Sequence, residues 1–141
     1  MITLTLIIFI LYSAIEGIRE GYYYHYKWLT SIMNKHDEHS MFTIQRVIVV
    51  LGLSIISYPL IGWYCFLSII SMSLCFSFIH NGMYYSTRNS VDKNVYKRKF
   101  FDDTTSSTAK ISMNFPVRTG LFVLGTVGAI VFDIIYFTIL I

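Results

Sequence analysis

The chain has 141 residues, 55% of them hydrophobic and only 13% charged, with a formal net charge of +3 and a mean hydropathy of +0.58. Soluble domains carry about 25% charged residues, and a chain this short cannot bury so much apolar surface in one aqueous core. That excludes an ordinary soluble domain and makes a bilayer the natural solvent for the excess.

Residues 2–24 form the first candidate span. No Lys or Arg precedes Arg19, so the positive segment that opens a signal peptide is lacking, and a transmembrane helix is expected instead. The span ends in EGIREGYYYHYKW. Glu16 and Glu20 are four apart and share one helix face. Tyr22, Tyr23, Tyr24, Tyr26 and Trp28 have the composition of an aromatic belt at a membrane–water boundary. Residues 25–41 are expected to be a polar loop carrying His25, His36, Asp37, Glu38 and His39.

The second span, residues 42–58, is the shortest, with Gln45 and Arg46 near its start and Pro59 closing it. A tight uncharged hairpin, YPLIGW, leads into the third span, residues 61–85. Cys65 and Cys75 lie roughly three helical turns apart there, too far for a disulfide, and read as small packing residues. Residues 86–115 are the long loop, with the basic run Lys97, Arg98, Lys99 followed by Phe100 and Phe101. Asp102–Thr108 (DDTTSST) offers helix N-caps, which fits a short amphipathic helix over 106–114 on the membrane surface. The fourth span is residues 117–141, with Pro116 at its mouth.

The expected fold is all-α: one domain, residues 1–141, built as a polytopic four-transmembrane-helix bundle. All Lys and Arg lie between Arg19 and Arg118, in or beside the two longer loops. The positive-inside rule then puts both loops in the cytoplasm and both termini on the outer side of the cell membrane. Ser71, Ser73, Cys75 and Ser77 on the third span, and Gly120, Gly125 and Gly128 on the fourth, suit close packing within the bundle or a homo-oligomeric interface.

Each span carries polar groups at one depth. At 1.5 Å per residue, Glu16 is ~21 Å along the first helix, Glu20 ~27 Å, and His80 and Asn81 ~28 Å along the third. Arg46 enters about one turn into the second. Tyr84 follows His80 by one turn, and Asn81, Tyr85 and Arg88 form a stripe. A charge held there must face the bundle interior and have a partner. Asp133 stands alone near the other surface. Its candidate partners are the Met1 amine and the Thr3 or Thr5 hydroxyl, so it is expected to pin the first helix to the fourth.

Three chemistries compete for this layer. Glu–Arg and His–Tyr pairs can simply neutralise one another and fix helix register. Glu16, Glu20, His36, His39 and His80 are residue types that bind zinc or iron, although the Glu-x-x-His signature of di-iron bundles is lacking. Lys97, Arg98, Lys99, Phe100 and Phe101 match an interfacial anchor, with charges at lipid headgroups and rings at the acyl boundary. No P-loop, nucleophile elbow or HExxH motif occurs, and nothing beyond a few loop lysines suits nucleic acid. The leading expectation is a non-enzymatic membrane component: a scaffold, regulator or partner-binding subunit with no required cofactor. It would work at the cytoplasmic face, in contact with the bilayer and a protein partner. The alternatives are a small membrane enzyme or metal-binding protein with a Glu/His centre, and a pore-forming, holin-like protein.

Overall fold

A computed structural model describes the backbone of residues 1–30, 35–104 and 113–140, and their side chains except 26–30, 35–41 and 139–140. Among the described residues the chain is all-helical, with no strand. Four helices follow one another: α1 (Ile2–Thr30), α2 (Lys35–Ile61), α3 (Phe66–Val91) and α4 (Phe115–Ile135), the last extended by a π-helical turn, Tyr136–Leu140. Among the described residues three stretches are long and apolar enough to cross a membrane: Ile2–His25, Phe42–Val91 and Phe115–Thr138. The middle one has 50 residues, more than twice the ~20 that a crossing needs. It contains α2, a 3-10 turn (Gly62–Cys65) and α3.

That turn reverses the chain. Gly62 has φ +55, a left-handed conformation open to glycine and strained for residues with a Cβ. Beyond it α3 runs back along α2, as the Ser54–Ser68 hydroxyl contact of 2.9 Å and the Arg46–His80 contact of 3.2 Å require. The reversal falls later than the hydropathy marks. Pro59 lies inside α2 rather than ending it. A proline this close to the C-terminus forfeits one hydrogen bond, to Ile55, and leaves the rest of the helix untouched. Helices α1 and α2 also run past their apolar stretches, so much of the expected 25–41 loop is helical. His36 and His39 lie outside the described side chains, and most of the amphipathic segment expected over 106–114 lies outside the described residues.

The bundle is apolar outside and more polar inside. On α1, Leu4, Ile7, Ile8, Leu11, Ile15 and Tyr22 are exposed, at helical spacing, while Thr5, Ser13, Glu16 and Glu20 are buried. Ser54, Ser57, Ser68, Ser71, His80, Thr87 and Arg118 repeat the pattern on the other helices. Water would reverse this arrangement; hydrocarbon favours it, because every polar group must then find a partner within the protein. Helices α1, α3 and α4 pack most closely, with α1 and α3 parallel and α4 antiparallel to them, and α2 touches α1 and α3 more sparsely. The apolar core, including Ile2, Leu6, Phe9, Ile61, Cys65, Met72, Cys75 and Ala129, occupies the end nearest the Gly62 turn and the middle. Both cysteines are buried and free.

At that end Asp133 closes the start of α1. Its Oδ1 accepts from the Ile2 amide at 3.0 Å and its Oδ2 from the Thr3 amide at 2.9 Å. The Met1 amine lies 2.5 Å from Oδ2. These are donors that a helix start leaves unsatisfied, and the carboxylate also complements the positive end of the helix dipole. A side chain of α4 thus caps α1, through the Met1 amine and the Ile2 and Thr3 amides, with the Thr3 hydroxyl adding to them. Asp133→Asn is expected to lose about 2 kcal/mol through the weakened cap. Its melting temperature in detergent should fall, and an unchanged melt would refute the cap.

Candidate functional site

At the opposite end, α1, α2 and α3 bring their polar residues together. Arg46 of α2 reaches between the two α1 carboxylates, its Nε donating to Glu16 Oε1 at 3.1 Å and its Nη2 to Glu20 Oε1. The same Nη2 lies 3.2 Å from His80 Nε2, and that nitrogen is 3.4 Å from Glu20 Oε2. Glu16 is only 2% exposed and Glu20 7%. Two carboxylates therefore share one guanidinium in a dry site. Glu16 Oε2 is buried with no hydrogen-bond partner, although the Tyr12 hydroxyl one turn back interacts with Glu16.

His80 is held on three sides. The Phe76 ring stacks on its imidazole, with centroids 4.6 Å apart, and the Arg46 guanidinium lies over the same ring. Asn81 Nδ2 donates to Ser77 Oγ at 3.1 Å, which turns Asn81 Oδ1 toward His80 Nδ1, 3.2 Å away. Asn81 Oδ1 can only accept, so it orients the imidazole with Nδ1 donating to it and Nε2 facing Arg46 and Glu20. Gln45 extends the network: it accepts from Arg19 and donates to the Tyr12 hydroxyl, both at 3.1 Å. These polar contacts are much of what fastens the sparsely packed α2 to the other helices.

Glycines let α1 come this close to α3. A Cβ on Gly17 would overlap the His80 carbonyl oxygen, and one on Gly21 would sit 2.8 Å from Thr87 Cβ. Gly17 and Gly21 thus form a small-xxx-small contact interleaved with Glu16 and Glu20. On α4, a Cβ on Gly125 would come 2.9 Å from the Ser71 carbonyl oxygen and the Cys75 sulfur, whereas a Cβ at Gly120 or Gly128 would meet nothing within 4 Å.

Arg118 belongs to a separate part of the layer. It is 0% exposed, and its guanidinium donates to the carbonyls of Ser77 at 3.2 Å, Phe78 at 3.0 Å and Asp102 at 2.8 Å. It ties the segment after α3 back onto the helix. Tyr84 borders the carboxylates, interacting electrostatically with Glu20, and Arg88 donates to the Tyr84 hydroxyl at 2.6 Å and lies over the Tyr96 ring, 3.9 Å from its centroid.

The basic run divides into an inner and an outer face. Phe100 is pressed onto Gly82, where a Cβ would come within 2.5 Å of the ring. Arg98 lies over Tyr85. Lys97 and Lys99 are exposed, as is Phe101 at 67%. Of the candidate metal ligands, Glu16, Glu20 and His80 converge, with one ligand atom from each within 4.8 Å of the others. Tyr12 and Phe76 complete the site one helical turn before Glu16 and His80, a spacing that could have disclosed them in the sequence. No protein-family model matches the chain, and no curated protein or solved structure is similar to it.

Proposed function

We propose that the chain is a non-enzymatic multi-pass component of the cell membrane. In this reading all four helices cross the bilayer, with both termini outside and the Glu16–Arg46–His80 layer near the cytoplasmic surface. The polar layer fixes helix register, and the segment after α3 presents a basic, aromatic surface to anionic headgroups and a partner subunit. One observation carries the reading: Glu16, Glu20, Arg46 and His80 are engaged with one another at the polar end, while Lys97, Lys99 and Phe101 face outward beside the internally packed Arg98 and Phe100. A lysine near an anionic surface contributes about 1 kcal/mol.

Topology is testable in a background lacking both cysteines. With Trp63→Cys or Asn94→Cys, a membrane-impermeant maleimide should label position 63 on intact cells and position 94 only after permeabilisation. Labelling of both sites on intact cells would overturn the four-span orientation. A photocrosslinking residue at Val95 should capture a lipid or protein in native membranes, and the Lys97→Glu/Lys99→Glu pair should cut that yield at least fivefold. An unchanged yield would remove the basic surface from the reading.

A further inference from the structure

The polar site contains the parts of a cation-binding centre, independently of which way the chain crosses the membrane. Glu16 and Glu20 come from consecutive turns of α1 and His80 from the neighbouring α3, and all three are buried. Asn81, fixed by Ser77, orients the imidazole so that Nε2 faces the carboxylates. Metal-bound histidines are held in this way, by an acceptor on the other ring nitrogen. Glu16 Oε2 lacks a hydrogen-bond partner in a dry setting, where an unsatisfied carboxylate oxygen is costly. The ligand atoms lie within 4.8 Å of one another. A tetrahedral ion at ~2.1 Å from its ligands would hold them about 3.4 Å apart.

Arg46 supplies the positive charge among these groups, and it is the most easily displaced member. Its side chain is 26% exposed, against 0% for Glu16 and 9% for Glu20. It comes from α2, the helix with the sparsest packing. We propose that Glu16, Glu20 and His80 bind a divalent transition metal, and that Arg46 competes with the metal for the two carboxylates. Two carboxylates and one imidazole leave a fourth position for water, a donor set that suits zinc or iron(II). Metal binding would release Arg46, and with it the main polar tie between α2 and α1.

The probe is zinc. Protein purified in detergent and stripped with a chelator is titrated with Zn²⁺, reading bound metal by elemental analysis and melting temperature in parallel. The wild type should take up one zinc per chain. Arg46→Gln should bind at least tenfold more tightly, with a larger zinc-dependent rise in melting temperature. Arg46→Gln/His80→Gln should lose that gain, which separates this site from the chain's other histidines and its cysteines. Glu16→Gln keeps the Arg46–Glu20 pair and should weaken zinc binding at least tenfold, giving an arm that does not depend on Arg46→Gln folding. Zinc binding by Glu16→Gln equal to that of the wild type would overturn the proposal, as would Arg46→Gln/His80→Gln binding zinc as tightly as Arg46→Gln. So would an affinity unchanged by Arg46→Gln, or zinc bound by Arg46→Gln and not by the wild type.

Discussion

Replacing Arg46 with methionine is expected to destabilise the metal-free protein by about 3 kcal/mol, as when one partner of a buried ion pair is removed and the other charges are left uncompensated. Methionine preserves much of the packing over Phe76, so the loss isolates charge. Glu16 and Glu20 would then face each other, one turn apart on α1 and almost fully buried, without the guanidinium that now bridges them. Neutralising both carboxylates in the same background, as Glu16→Gln/Glu20→Gln/Arg46→Met, should recover most of the loss, since buried neutral residues can match a buried ion pair in stability. Equilibrium unfolding in mixed micelles reads both quantities. If Arg46→Met unfolds like the wild type, the guanidinium does not neutralise the site. If the triple variant stays as unstable as Arg46→Met, the loss lies in packing.

The convergence of Glu16, Glu20, Arg46 and His80 is visible in the sequence because helical rise converts residue number into depth. Three helices that begin and end at common surfaces must place those residues in one layer. The same arithmetic fails for Arg118. Its number puts it at a helix end, yet it is fully buried, because its partners are the backbone carbonyls of Ser77, Phe78 and Asp102. Carbonyls carry no sequence signature. Hydropathy also loses the helix ends: the described backbone of α1 and α2 continues through polar residues, and a helix needs no apolar side chain once it leaves the apolar layer. Asp133 was legible as a pin between the first and fourth helices through its isolation from Lys and Arg. That it acts on the Ile2 and Thr3 amides follows only from how α4 lies beside the start of α1. Gly17 and Gly21 let α1 approach α3 so closely that an added Cβ would clash, and they are easily passed over, because the glutamates beside them draw attention to charge.

Those glycines carry the other large expected effect. Gly17→Val should cost at least about 3 kcal/mol, the upper range of overpacking. Even the alanine Cβ would overlap the His80 carbonyl oxygen and come within 3.2 Å of Met83 Cβ. Backbone cannot rotate away as a flexible side chain can, so α1 and α3 must separate along the whole contact. Separation also draws Glu16 and Glu20 from His80, since they stand on the same turns of α1. Packing and the polar site should therefore fail together. Two controls fix the interpretation. Gly120→Ala and Gly128→Ala add the same methyl where nothing lies within 4 Å, and alanine is the better helix former. Both should leave stability unchanged or slightly raised. Gly125→Ala meets the Ser71 carbonyl and the Cys75 sulfur at 2.9 Å and should be destabilising. The order Gly17→Val, then Gly125→Ala, then Gly120→Ala is set by the atoms each added group would meet. A stability series in which all three behave alike would mean that glycine acts through helix propensity, and that α1 and α3 do not approach as described.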